Sequence, residues 1–315
     1  MKNKLKQNIK NPAVVCITAC FCCLMWGSAF PIIKIGYNLL SVDSSDYMSQ
    51  ILFAGVRFFL AGIFTVIIGS IMTKSLVKVR RKGVYKIPVL ALFQTILQYL
   101  FFYIGLAKTT GTKSSILDST SVFFSVLIAS FVLRQEKLSV KKVIGCLLGF
   151  GGVVIVNLSG GGFDTSMSFT GEGFIIISAF SYAVSSVLIK QYSRNDNPVA
   201  LSGYQFVLGG LVMIAVGIIG GGELYFSSAK SLFIILYLAL LSAVAYTLWG
   251  ILLKYNPVSR VTVFGFMTPV FGCILSAVLL NEHIGNSGIK IIFALILVSL
   301  GIIIVNTKSK GEAND

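Results

Sequence analysis

The run FAGVRFFLAG, from Phe53 to Gly62, holds one charge, Arg57, among residues that are otherwise apolar or glycine. A guanidinium in such surroundings has three uses: it anchors neighbouring helices through an ion pair or hydrogen bonds, it holds an anionic group of a solute, or it serves a proton-linked switch. Its candidate partner is Asp118, the one acid in the segment from Thr112 to Leu133. Separation of the two by solute or by a conformational change would couple protonation to that event. The alternative for Asp118 is a helix-start acid near Lys113, held by local hydrogen bonds.

Other polar and aromatic side chains recur at helical spacing. Gln94, Gln98 and Phe101 fall on one face, and Ser242, Tyr246 and Trp249 do the same later in the chain. Ser115, Asp118 and Ser125 match a stripe of Thr262, Phe266, Pro269 and Cys273, while Trp26 and Phe30 answer Tyr182 and Ser186. Aromatic walls with scattered amides and hydroxyls suit small amphipathic solutes. For each single aromatic the competing use is packing or contact with lipid; the glutamines are different, because an amide facing lipid lacks partners.

Metal and enzyme chemistry find little support. Cys16, Cys20 and Cys23 share a helical face, but no His or acid stands beside them, so they read as packing residues. All six cysteines lie in apolar segments, and no disulfide is expected. The single histidine, His283, neighbours Glu282 at a segment end, and DSSD from Asp43 to Asp46 has no matching ligands. An intramembrane enzyme needs clustered acids or histidines. The reading is therefore not an enzyme, with no metal and no cofactor.

The elements that carry these residues are membrane spans. Of 315 residues, 56% are hydrophobic and 12% charged, and the mean hydropathy is +0.88. A soluble domain carries about twice that charged fraction. Ten segments are long enough to cross a bilayer: Ala13–Ile35, Ser49–Met72, Val84–Ala107, Thr112–Leu133, Val140–Asn157, Gly171–Lys190, Val199–Ile219, Ser231–Leu253, Val258–Leu280 and Ile289–Asn306. The first follows a lysine-bearing terminus but runs too long for a signal peptide and ends in WGSAFPIIK, without a small-residue cleavage site, so it reads as a retained span. Arg57 then sits about eight residues, roughly 12 Å, into span two. A lipid-facing arginine at that depth costs about 2.5–3.5 kcal/mol, which points it inward.

The net charge of +15 is topological. With the amino terminus inside, one side collects Lys2, Lys4, Lys6 and Lys10, the cations from Lys74 to Lys86 and from Arg134 to Lys142, and Lys190, Arg194, Lys254, Arg260, Lys308 and Lys310. The other receives Lys34, Lys108, Lys113, Lys230 and Lys290. This asymmetry predicts cytoplasmic termini in a multi-pass plasma-membrane protein and removes the case for nucleic acid as a partner. The lipid bilayer and a small-molecule substrate are the expected partners, and a homodimer stays open.

The chain also repeats. FGGVVIVN ending at Asn157 parallels VSLGIIIVN ending at Asn306, and RFFLAG from Arg57 parallels QFVLGG from Gln205, with a glycine-rich stretch from Leu158 to Gly173 between. Residues 13–157 and 171–306 thus form two five-helix repeats. An odd number of spans per repeat inserts the second upside down, and inverted repeats place a binding site near the midplane. The expected fold class is all-α, a polytopic membrane protein with ten transmembrane helices as two inverted five-helix repeats. Gly55, Gly62 and Gly69 recur every seven residues, and Gly145 with Gly149 forms a small-xxx-small pair, both signs of close helix packing. Pro31 and Pro269 are candidate bending points.

WGSAFPIIK in span one, RFFLAG in span two and YTLWGILLKYNPVSRVTVFGFMTPVFGCILSAVLLNEHI across spans eight and nine resemble the EamA-type transporters of the drug/metabolite transporter superfamily. The resemblance covers nearly the whole chain and departs from the family pattern in SVFFSVL and RQEK of the first half. It implies a secondary transporter exporting amino acids or similar small metabolites through a central cavity enclosed by both repeats. The cavity candidates are Trp26, Phe30, Arg57, Gln94, Gln98, Phe101, Asp118, Tyr182, Tyr246, Trp249, Phe266 and Pro269. A carrier of lipid-linked or nucleotide-sugar cargo is the alternative, although nucleotide cargo calls for more cations than Arg57 alone.

Overall fold

In a computed structural model the described residues are 7–43, 45–109, 111–157, 167–226, 228–279 and 287–307. Residues 158–166 of the glycine-rich stretch, Glu282, His283, Lys308 and Lys310 lie outside them. The described residues form helices and no strand. Among the described residues nine helices are long and apolar enough to cross a membrane: Pro12–Leu39, Tyr47–Thr73, Arg81–Leu106, Ser114–Val132, Phe169–Tyr192, Pro198–Ile219, Ala229–Tyr255, Val258–Leu279 and Ile289–Asn306. The expected span five is also a helix, Val140–Asn157. All ten predicted segments are thus helical, several beginning earlier than hydropathy alone places them.

Local chemistry explains those earlier starts. The Asn11 side chain accepts from the amide of Ala13 at 2.9 Å, with Pro12 in the first turn, and Asn197 and Pro198 repeat the device on Val199. Asp46 accepts from the amide and hydroxyl of Ser49 at 3.0 and 2.6 Å, which starts span two at Tyr47. Span two ends at Lys74 with φ 50, a left-handed cap.

Equivalent helices of the two halves pack against each other in opposite directions. A Cβ on Gly55 would meet the backbone of Ile214, one on Gly62 that of Val207, and one on Gly69 the side chain of Val199, so span seven descends as span two rises. Spans five and ten do likewise, Gly145 meeting Val305, Gly301 meeting Gly149 and Gly152 meeting Val298. Only helices stripped of side chains approach so closely, and in lipid that contact supplies much of the association energy. The seven-residue glycine spacing therefore builds the inverted pairing directly.

Four spans are irregular, span six only in its opening π turn, Phe169–Gly173. Span three contains a wide π turn, Leu92–Leu97. In span nine a tight 3-10 turn, Val263–Phe266, precedes the helix Met267–Leu279, because Pro269 has no amide for the carbonyl of Gly265 and its ring crowds that position. Span four breaks at Ser119 and Thr120 without proline; their hydroxyls donate to the carbonyls of Ser115 and Leu117 at 2.8 and 2.5 Å and compete with the helix ladder.

Candidate substrate site

Phe58 and Phe206, the residues that follow Arg57 and Gln205 in the two repeats, stack at 5.2 Å where the halves meet. Tyr99 leans on Phe58 at 4.3 Å and Tyr246 on Phe206 at 5.0 Å. The two phenols close the ring through a hydrogen bond of 2.7 Å between their hydroxyls. Trp26 then packs edge-on against both Tyr246, at 5.0 Å, and Trp249, at 4.9 Å. Spans one, two, three, seven and eight thus meet in one aromatic cluster.

Arg57 lies in this cluster at 4% exposure. Its Cζ is 4.5 Å from the ring centre of Phe58 and 5.9 Å from that of Tyr99, and its charge also reaches the phenols of Tyr37, Tyr103 and Tyr246. A desolvated cation over an aromatic face gains about 2 kcal/mol, comparable with the cost of placing it in the membrane. The rings therefore hold the charge without consuming its hydrogen bonds: Nε and Nη1 are buried and have no partner. Within the aromatic cluster Trp26 Nε1, Trp249 Nε1 and Gln98 Oε1 are also buried without a partner among the described residues. Unpaired buried polar atoms cost about 1–3 kcal/mol each, which makes the Arg57 donors and these neighbours the candidate binding groups.

Arg57 and Asp118 do not pair. Asp118 ends the helix Gly111–Asp118 at the break in span four and is half-buried; its charge reaches Tyr182, which in turn lies in the field of Tyr99.

Of the remaining candidates, Tyr182 packs against the same aromatic cluster, and Gln98 lies beside the Tyr246 hydroxyl. Gln94 is buried in the π turn. Three aromatics stand elsewhere. Phe101 packs on Phe174 at 4.9 Å, Phe30 is 44% exposed beside Gly272, and Phe266 fills the notch left by Gly149 next to Phe123. Pro269 acts through the backbone turn described above.

Spacing missed Tyr37, Phe58, Tyr99, Tyr103 and Phe206. In span three the reason is the π turn, whose extra residue rotates the following helix by about 100° and brings Tyr99 and Tyr103 to the seam where regular spacing puts Gln98 and Phe101. The four-residue interval between the two tyrosines is the signal that would have found them.

The halves also join at the face that carries most of the lysines and arginines. Lys86 of the first half meets Asp196 of the second at 2.5 Å, their side chains 10% and 1% exposed. Burial raises the Asp196 carboxyl, but hydrogen bonds from Lys86 and the Arg80 amide, with the charges of both residues, outweigh it and leave the group below its ordinary range. Glu136 caps the start of span nine, accepting from the amide and hydroxyl of Ser259 at 2.9 and 2.6 Å, and pairs with Lys142 at 2.9 Å. At the opposite face Ser49 Oγ accepts from the Glu223 amide at 2.8 Å, and Thr109 donates to Glu172 at 2.5 Å.

The model of the EamA-like transporter family matches residues 13–158 and again 169–307. The chain belongs to this family. Among its relatives, an uncharacterized transporter of Archaeoglobus fulgidus is 29% identical over 82% of this chain and 86% of its own length. The uncharacterized transporter YvbV of Bacillus subtilis is 27% identical over 93% and 91%. One crystal structure shares the fold seen here, with a TM-score of 0.75 over 94% of this chain and 96% of its own, at 18% identity. Family membership makes the protein a multi-pass membrane transporter of small molecules.

Proposed function

We propose that the protein is a secondary transporter that exports amino acids or similar small amphipathic metabolites across the plasma membrane, with both termini in the cytoplasm. The observation that carries this reading is the buried guanidinium of Arg57, whose Nε and Nη1 lack partners inside an aromatic cluster contributed by both halves. A solute carboxylate accepts from one of those donors, and the rings of Trp26, Tyr246 and Trp249 take its apolar part. Rocking of the halves about the glycine seams then exposes the site to each side in turn, breaking Lys86–Asp196 and Glu136–Ser259 when the basic face opens. The excess of Lys and Arg on that face supports its assignment to the cytoplasm.

The test is flux of unmodified solute. Proteoliposomes holding the purified chain should move a labelled amino acid picked from the metabolite-efflux profile of cells with and without the gene, and Arg57→Gln should slow the movement about 30-fold or more. Equal flux in empty liposomes, or chemical conversion of the solute, overturns the proposal.

A further inference from the structure

Away from the central cluster, a pocket of about 540 Å³ opens at the basic-face end of span four, lined by Ser130, Phe131, Arg134, Gln135, Glu136 and Lys137. We infer that this pocket binds the headgroup of an anionic phospholipid. The placement of the inner leaflet at this face rests on the charge asymmetry used above.

Four features of the pocket match that ligand. The span ends in a π turn, Ile128–Val132, and Arg134 follows with φ 46, so the chain turns sharply at the depth where hydrocarbon gives way to headgroups. Arg134 and Lys137 are both exposed and, among the described residues, enter no ion pair or side-chain hydrogen bond. Ser130 Oγ and Gln135 Oε1 are buried without partners at the same place. Phe131 and Val132, 62% and 69% exposed, continue from the pocket along the lipid-facing side of the span. Two cations and a hydroxyl suit a phosphate, an amide oxygen suits the hydroxyl of a glycerol headgroup, and the apolar pair suits an acyl chain.

The one acid in the lining does not oppose this. Glu136 is held by Lys142 at 2.9 Å and by Ser259, and its charge is neutralised within the protein. The same contacts give the site a consequence. A lipid bound to Arg134 and Lys137 lies one residue on either side of Glu136 and Gln135, which bind Ser259 and Gln191 of the other half. Anionic lipid thereby steadies the loop that latches the halves at this face.

The full-length chain, purified in neutral detergent, should be titrated with phosphatidylglycerol and with phosphatidylcholine, and bound lipid counted by native mass spectrometry. Phosphatidylglycerol should bind at least tenfold more tightly than phosphatidylcholine. Arg134→Gln with Lys137→Gln should remove that preference, while Lys74→Gln with Lys78→Gln, an equal loss of charge elsewhere on the basic face, should keep it. Equal loss in both double variants would show a diffuse surface attraction and overturn the site. Displacement of the lipid by millimolar inorganic phosphate would make it a free-anion site and overturn the lipid assignment. Thermal melting of each variant confirms that a loss of binding is not a loss of fold.

Discussion

Arg57 and Gln205 occupy equivalent places in the two repeats, each followed by one of the phenylalanines that stack at 5.2 Å, yet they live in different chemistry. Gln205 is fully buried and neutral; its Oε1 accepts from Thr95 Oγ1 of the other half at 2.8 Å, while its Nε2, like the Arg57 donors, is unpaired. Arg57 has rings around it and no hydrogen bond at Nε or Nη1. The repeat supplies a symmetric frame, and the departure from symmetry supplies the binding chemistry. Symmetric features should therefore fail through folding, and asymmetric ones through transport.

The largest effect tests the frame. A Cβ on Gly210 would clash with the backbone nitrogen of Phe59, which no rotamer relieves. Gly210→Val should cost more than about 3 kcal/mol, beyond ordinary overpacking, and leave little monodisperse protein in size-exclusion chromatography. Gly62→Val, on the facing helix, should do the same; survival of either at normal yield would break the symmetry argument. Next comes the charge. Arg57→Gln makes the first half resemble the second and should lower flux about 30-fold or more, the equivalent of the roughly 2 kcal/mol or more lost with a buried charged contact, at unchanged melting temperature.

A smaller effect belongs to the junction of the halves. Asp196→Asn should lower stability by about 1–3 kcal/mol, since it leaves the Lys86 ammonium with a neutral acceptor. The native carboxyl has a depressed pKa, so its stabilisation is present above the unfolded value of about 3.9 and disappears as the pH falls through the lower folded value. The difference in melting temperature between wild type and Asp196→Asn should stay constant from about pH 5 to 8 and close only below about pH 4. The smallest effect sharpens the contrast with Arg57: Gln205→Leu should cost about 1 kcal/mol for the lost Thr95 bond and leave flux within about twofold.

Much of this was legible in one dimension. Ten apolar segments, parallel motifs around Arg57 and Gln205, glycines seven apart and the buried positive charge follow from residue type and spacing, because lipid demands continuous apolar helices and tight pairing demands small residues. The composition of the aromatic cluster was legible only in part. Trp26, Tyr246, Trp249 and Tyr182 were found by helical period, whereas Tyr99 and Tyr103 were hidden by the π turn and Tyr37, Phe58 and Phe206 by the abundance of aromatics in every span.

The sequence by itself determined the spans, their repetition and the presence of an arginine that lipid cannot hold, since these depend on hydrophobicity and period alone. The tertiary structure decided what that arginine touches. Breaks of a few residues in spans three, four and nine rotate and offset the helices that follow, and in span three a rotation of one residue is enough to bring the Tyr99 ring to Arg57.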